Sequence, residues 1–181
     1  MLKNRKVAVI ICVIVIALSI LSGARRSLSE VIRETEDAFV YGVAGDGQSI
    51  YHDLGSRTQL ANNLVTVAER YLDAEDDAVS RVRVLSAKLQ RETRPEKCYD
   101  LNEELSEAVS DLNAALLNAS LTETDEDYRK GILTDFTSYA YTIQHDGYND
   151  LVRALNEGTL KKFPARLLKL LTLTGNAEYY G

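Results

Sequence analysis

Two His-Asp dipeptides, His52-Asp53 and His145-Asp146, carry the residue types in this chain best suited to chemistry. A histidine beside a carboxylate can act as a base with its orienting acid, or as part of a metal site. The spacing argues against both uses. Neither histidine has a second one a helical turn away, and adjacent residues on a helix point about 100° apart, so each pair is expected to diverge. Both histidines are therefore expected on the surface. Cys98 falls on an apolar helical stripe, where a thiol is buried and inert. Cys12 lies inside a long apolar run, so a disulfide between the two is not expected.

Other stretches invite chemical readings and fail them. Gly42, Gly45 and Gly47 form a glycine-rich segment, but a phosphate loop needs a preceding strand and a following Lys-Ser/Thr. Residues 73–77 (DAEDD) lack the alternating ligands and central glycine of a calcium loop. Acids at that place suit the N-terminus of the helix that follows. Asn118-Ala119-Ser120 matches a glycosylation sequon, which has meaning only in a eukaryotic secretory setting. No catalytic, metal-binding or cofactor-binding residue is assigned, and no cofactor is expected.

The elements that would position any site are helical. Residues 7–24, VAVIICVIVIALSILSGA, contain no charge and span about 27 Å as a helix, close to the hydrocarbon thickness of a bilayer. A short basic tail (1–6) with Lys3, Arg5 and Lys6 precedes them, and Arg25 and Arg26 follow. This reads as a transmembrane helix. The alternative is a cleaved signal peptide, because Ser22-Gly23-Ala24 imitates a cleavage site. The basic bias points to an inside N-terminus with the following domain outside, by about one charge.

Beyond the span, apolar residues recur with a period near 3.6. Residues 27–41 continue the anchor as helix, until the glycine stretch breaks it; Asp46 is expected to cap the next helix. That helix carries Ile50, Tyr51, Leu54, Ala61, Leu64, Val65 and Ala68. A third, with Val79, Val82, Leu85 and Leu89, ends before Arg94-Pro95. A fourth, with Cys98, Leu101, Leu105, Val109, Leu112 and Leu116, starts at Pro95. The last should begin near Thr124 and run through Tyr128, Phe136, Ile143, Tyr148 and Leu155 to a stop at Gly158. A leucine-rich tail closes on Tyr179-Tyr180. The fold class expected is all-α: an N-terminal transmembrane helix followed by an elongated antiparallel bundle of about four helices.

Charge narrows the partners. The chain carries −6, and Lys3, Arg5 and Lys6 contribute +3 without an acid in residues 1–24, so the remainder carries −9. An acidic domain repels phosphate backbones, which excludes general nucleic-acid binding. By the same average, the domain itself should not adhere to anionic lipid.

Order and spacing of several short motifs resemble the bacterial LemA family. Asp53-Leu54, Arg57, Leu60 and Asn63-Leu64-Val65 resemble its D-x-x-L-x-x-R-x-x-L-I-P-N-L-V segment. Thr137 through Tyr148-Asn149-Asp150-Leu151-Val152 resembles T-E-N-R…F-Y-N-x-x-V. Phe163-Pro164-x-x-Leu167-Leu168-x-x-Leu171, with Gly175 and the tyrosine pair, resembles its closing F-P-x-x-L-I-A-x-L-F-G-F…Y-F. Departures are Ala61-Asn62 for Ile-Pro, Gly147 for an aromatic, and Leu173-Thr174 for the late phenylalanine. The resemblance implies a divergent member, with residues 25–181 as a LemA-like helical bundle tethered to the cell membrane in one pass. It implies no reaction.

The function expected is a non-enzymatic scaffold or protein-interaction module at the membrane, bound there through residues 7–24. Its protein partner is unidentified, and homo-oligomerisation through the first helix is open. Such a module predicts an exposed apolar patch; residues 163–168, from Phe163 to Leu168, are the candidate, although simple docking of this tail onto the bundle is the favoured expectation. The alternative is a ligand-binding or enzymatic bundle with a pocket near His145 and Tyr148, reaching Tyr51.

Overall fold

The structure is a computed structural model and describes residues 5–181; Lys3 lies outside the described residues. The chain is helical, with no strand among the described residues. The helices are α1 (Arg5–Tyr41), α2 (Ile50–Ala68), α3 (Asp77–Leu89), α4 (Pro95–Leu117), α5 (Glu123–Gln144), α6 (Tyr148–Arg153) and α7 (Ala165–Thr172), with a π turn over Ala154–Thr159 between the last two. By internal contacts the chain divides into two compact units. One joins the residues up to Asp37 with Asp150–Ala177; the other joins Ala38–Asn149 with Glu178–Gly181.

The second unit is a four-helix bundle of α2 to α5. Tyr71, just past the end of α2, meets Asp125 at the start of α5, while Arg57, earlier in α2, meets Phe136, later in α5. The two helices are therefore antiparallel. Connections between successive helices are short, as up-and-down neighbours require. The core is the apolar stripes of the four helices, with Leu64, Val79, Val82, Cys98, Leu105, Leu112 and Leu116 fully enclosed. Pro95 stands at the start of α4, where its missing N–H costs nothing.

Two local expectations are corrected. Ser49, not Asp46, caps α2: its hydroxyl accepts from the His52 N–H at 3.1 Å and donates to the Val40 carbonyl at 2.9 Å. Asp46 instead accepts from the Gln48 N–H, tightening the glycine turn. In that turn Gly42 has φ +85°, and a Cβ there would lie 2.2 Å from the Gln48 carbonyl oxygen, so only glycine fits. The last long helix also does not run to Gly158. It stops at Gln144, and Asp146 takes the Tyr148 N–H at 2.7 Å to start α6. An aspartate bonding its own backbone two residues on competes with helix continuation. The apolar stripe hides the break because Tyr148, Val152 and Leu155 resume it, all buried.

The first unit contains α1 as far as Asp37 and the segment from Asp150 through α7. Across the π turn the Leu160 N–H reaches back five residues to the Leu155 carbonyl, so Gly158 sits inside a turn and does not end it. Asn156, buried there, clamps the backbone of Ala177: its carboxamide donates to the Ala177 carbonyl and accepts from the Ala177 N–H. No residue in the most apolar part of α1 is buried in the protein, and Ile10, Val13, Leu18 and Ile20 stand open. It is a helix long and apolar enough to cross a membrane.

Candidate functional site

The two His-Asp pairs behave differently. His52, exposed in the first turn of α2, brings its Nδ1 to 3.3 Å from Asp53 Oδ1, so this pair does converge, against the expectation from helical spacing. A flexible χ1 lets the two side chains lean together although their Cα–Cβ bonds diverge. His145 ends α5 and turns away from Asp146; its Nδ1 sits 2.8 Å from the Tyr141 carbonyl and its ring packs on Tyr141 with centroids 4.0 Å apart. Burial raises the Asp146 carboxyl above its ordinary value, the Tyr148 N–H opposes this, and the charge of Asp53 adds to the rise. Among the described residues no group of three or more His, Cys, Asp and Glu is arranged to hold a metal ion.

An open groove of about 910 Å³ runs between α2 and α5. Gly55 and Ser56 face Asp135 and Ser138 across it, with Tyr51 and Tyr139 at its walls and His52 at the edge. Its width follows from Gly55, where no side chain fills the space. Ser56 directs its hydroxyl to the His52 carbonyl at 3.3 Å, not to the imidazole, so no nucleophile–base pair forms between them. His145 and Tyr148 do not line this groove. Tyr148 is fully buried, 5.6 Å from Phe39 between ring centroids, and donates its hydroxyl to the Glu178 carbonyl. Tyr51 and Tyr148 both touch Phe39, so the predicted grouping of the tyrosines exists as core packing, with His145 left on the surface.

Arg57 is the polar centre that spacing alone did not single out. It is 3% exposed and held by neutral groups: Nη1 donates to Asn102 Oδ1, Nη2 to Ser106 Oγ at 2.8 Å, and the guanidinium lies 4.0 Å over the Phe136 ring. Desolvation lowers its pKa from the ordinary value, with Tyr180 and Glu103 acting in the opposite direction. It still carries charge at neutral pH. Among the described residues its Nε and the buried Tyr180 hydroxyl have no hydrogen-bond partner. The signal was present in the sequence: Leu54, Arg57, Ala61 and Leu64 share one helical face, which puts the arginine inward. Cys98 lies in the core as expected, its thiol pushed up to about 12 by burial, with Glu92 adding to the rise.

The closing residues complete this bundle. Tyr180 packs edge-on to Tyr99 at 5.3 Å and against Phe39 at 6.0 Å, and Asn149 clamps its backbone with one donated and one accepted bond.

In the first unit, α7 turns its apolar side outward. Phe163 is 83% exposed, Leu170 71% and Leu173 86%, and Leu167 and Leu171 are exposed with them, while Thr172 faces inward. The segment around Phe163 and Leu167 is thus open and not docked as favoured from the sequence, whereas Ala177 and Tyr180 are buried and held by their backbone clamps. No family model, curated protein or solved structure matches this chain.

Proposed function

We propose that this chain is a divergent LemA-type protein: a single-pass, membrane-anchored helical bundle that acts as a non-enzymatic scaffold or interaction module for a protein partner at the cell membrane. The observation that carries the reading is α1. No residue in its most apolar part is buried in the protein, and the same helix continues without a break to Tyr41, with Phe39 in the bundle core. Continuity of the apolar segment with a helix that reaches a core residue supports an anchor that is retained. Placement of the bundle outside the membrane rests on Lys3, Arg5 and Lys6 against Arg25 and Arg26.

Extraction of membranes with alkaline carbonate tests the anchor: the intact chain stays with the membrane pellet, whereas release of a product shortened by about 24 residues, the length of tail plus span, sinks the proposal. Protease added to intact cells degrades the bundle if it lies outside. Crosslinking followed by isolation from detergent identifies the partner, and a crosslinked band at twice the chain's mass would assign that role to a second copy.

A second reading, a small-ligand binder, is favoured by the α2–α5 groove with its His52–Asp53 pair. Gly55→Leu fills that groove. If it abolishes the function of the chain in cells while leaving partner recovery unchanged, this second reading replaces the first.

A further inference from the structure

We propose that residues 161–173 lie in the headgroup region of an anionic bilayer, giving the chain a second, peripheral membrane contact. The inference rests on the reading that α1 holds the chain at a bilayer. It reverses what the average charge suggests. Residues 158–177 contain Lys161, Lys162, Arg166 and Lys169 and no acid, inside a domain that is otherwise acidic. Charge of one sign has been gathered on one short element.

The apolar residues of that element point away from the rest of the protein. At about 100° per residue, Leu167, Leu170 and Leu171 share one arc of α7, and that arc faces out while Thr172 faces in. Phe163 and Leu173 extend it at both ends, so five large side chains stand open together. Phe163, Leu167, Leu170 and Leu173 bound a shallow groove of about 750 Å³ whose rim carries Lys161, Arg166 and Lys169. Lys169 also donates to Asn176, which fixes it at that rim. Leu173 adopts a left-handed conformation, φ 53° and ψ 36°, which is unfavourable for a leucine and holds its side chain in the open.

An apolar arc edged by cations, in the same compact unit as the spanning helix, has the chemistry of an interfacial helix. Its leucines match the acyl boundary, and its lysines and arginine match lipid phosphates. A basic protein surface would be repelled, and a plain apolar groove would leave the four cations without purpose.

The chain has no tryptophan, so Leu170→Trp introduces a single fluorophore at an open position. The full chain carrying it is reconstituted into phosphatidylcholine vesicles with and without phosphatidylglycerol, and quenching by brominated acyl chains is read. In phosphatidylglycerol vesicles we expect at least about a two-fold loss of emission, since an interfacial helix seats its apolar face at the acyl boundary. Combining L170W with K161Q, K162Q, R166Q and K169Q should remove that quenching, and V84W, on the exposed face of α3, should show none. Emission typical of water, without quenching, in a chain that floats with the vesicles overturns this contact alone. A blue shift without bromine quenching overturns it too, by placing the leucines against a second copy or another protein. A chain that fails to float overturns the anchor and this contact together.

Discussion

A guanidinium taken out of water without a carboxylate beside it depends on neutral dipoles, so the residues around Arg57 matter more than the arginine itself. Asn102→Ala strands the charge and should cost about 2–4 kcal/mol. Arg57→Met removes the charge along with its needs and should cost less than Asn102→Ala. Unfolding of the detergent-solubilised chain measures both, and the reverse order would show that Arg57 contributes chiefly through its own bonds. Asp146 offers a pH test. Its folded carboxyl is raised by burial and by Asp53, so the folded state favours the protonated form, and stability is lost as pH rises above the ordinary carboxylate value of about 4. Asp146→Asn keeps an acceptor for the Tyr148 N–H and removes the charge. At neutral pH it should be as stable as the parent or more so, and the difference should shrink in acid; a less stable variant at neutral pH refutes this account.

Helices α1 to α4 were legible in the sequence because their apolar residues recur on one face and their ends carry proline, glycine or acidic turns. The break at residues 145–147 was not, because α6 resumes the stripe of α5 in phase and the decisive bond is between Asp146 and a backbone N–H. The outward face of α7 was half legible. Periodicity groups Leu167, Leu170 and Leu171 together, but it does not say whether protein or solvent lies opposite. At the start of α5 the local chemistry is plain: Thr122 caps the helix, and Asp125 is held below the usual carboxylate range first by the Tyr71 hydroxyl at 2.5 Å, then by Thr122 and Arg70. A lowered folded value gives stability that is present above a pH of about 4 and lost as pH falls through the folded value. Tyr71→Phe should therefore move acid unfolding to higher pH, seen by circular dichroism; an unchanged acid midpoint would assign the effect to Arg70.

At the level of the whole molecule, charge and apolar surface are sorted along the chain: an open apolar α1, an acidic bundle, and a basic, leucine-faced α7. None of this follows from composition, since the average over the domain is acidic and the average hydropathy ordinary. The bundle also borrows its last core residue from far along the chain. Deleting residues 178–181 removes Tyr180 from Phe39 and Tyr99, and should destabilise the bundle by about 3–5 kcal/mol, as loss of a buried aromatic does. A truncated chain with unchanged unfolding would show that the tyrosine seat is incidental. Removing the whole tail is consequently a poor way to probe α7, because it empties the bundle core at the same time.

Asn149 and Asn156 hold Tyr180 and Ala177 by the main chain, each giving one bond and receiving one. A carboxamide matched to a peptide group is indifferent to the side chain that peptide carries. Over evolutionary time the tail can therefore drift in spelling while keeping its seat. Selection should register at the two asparagines, where aspartate would replace a donor with a second acceptor and turn half of each clamp into repulsion. Relatives of this chain are better sought by those two positions, seven residues apart, than by the letters they grip.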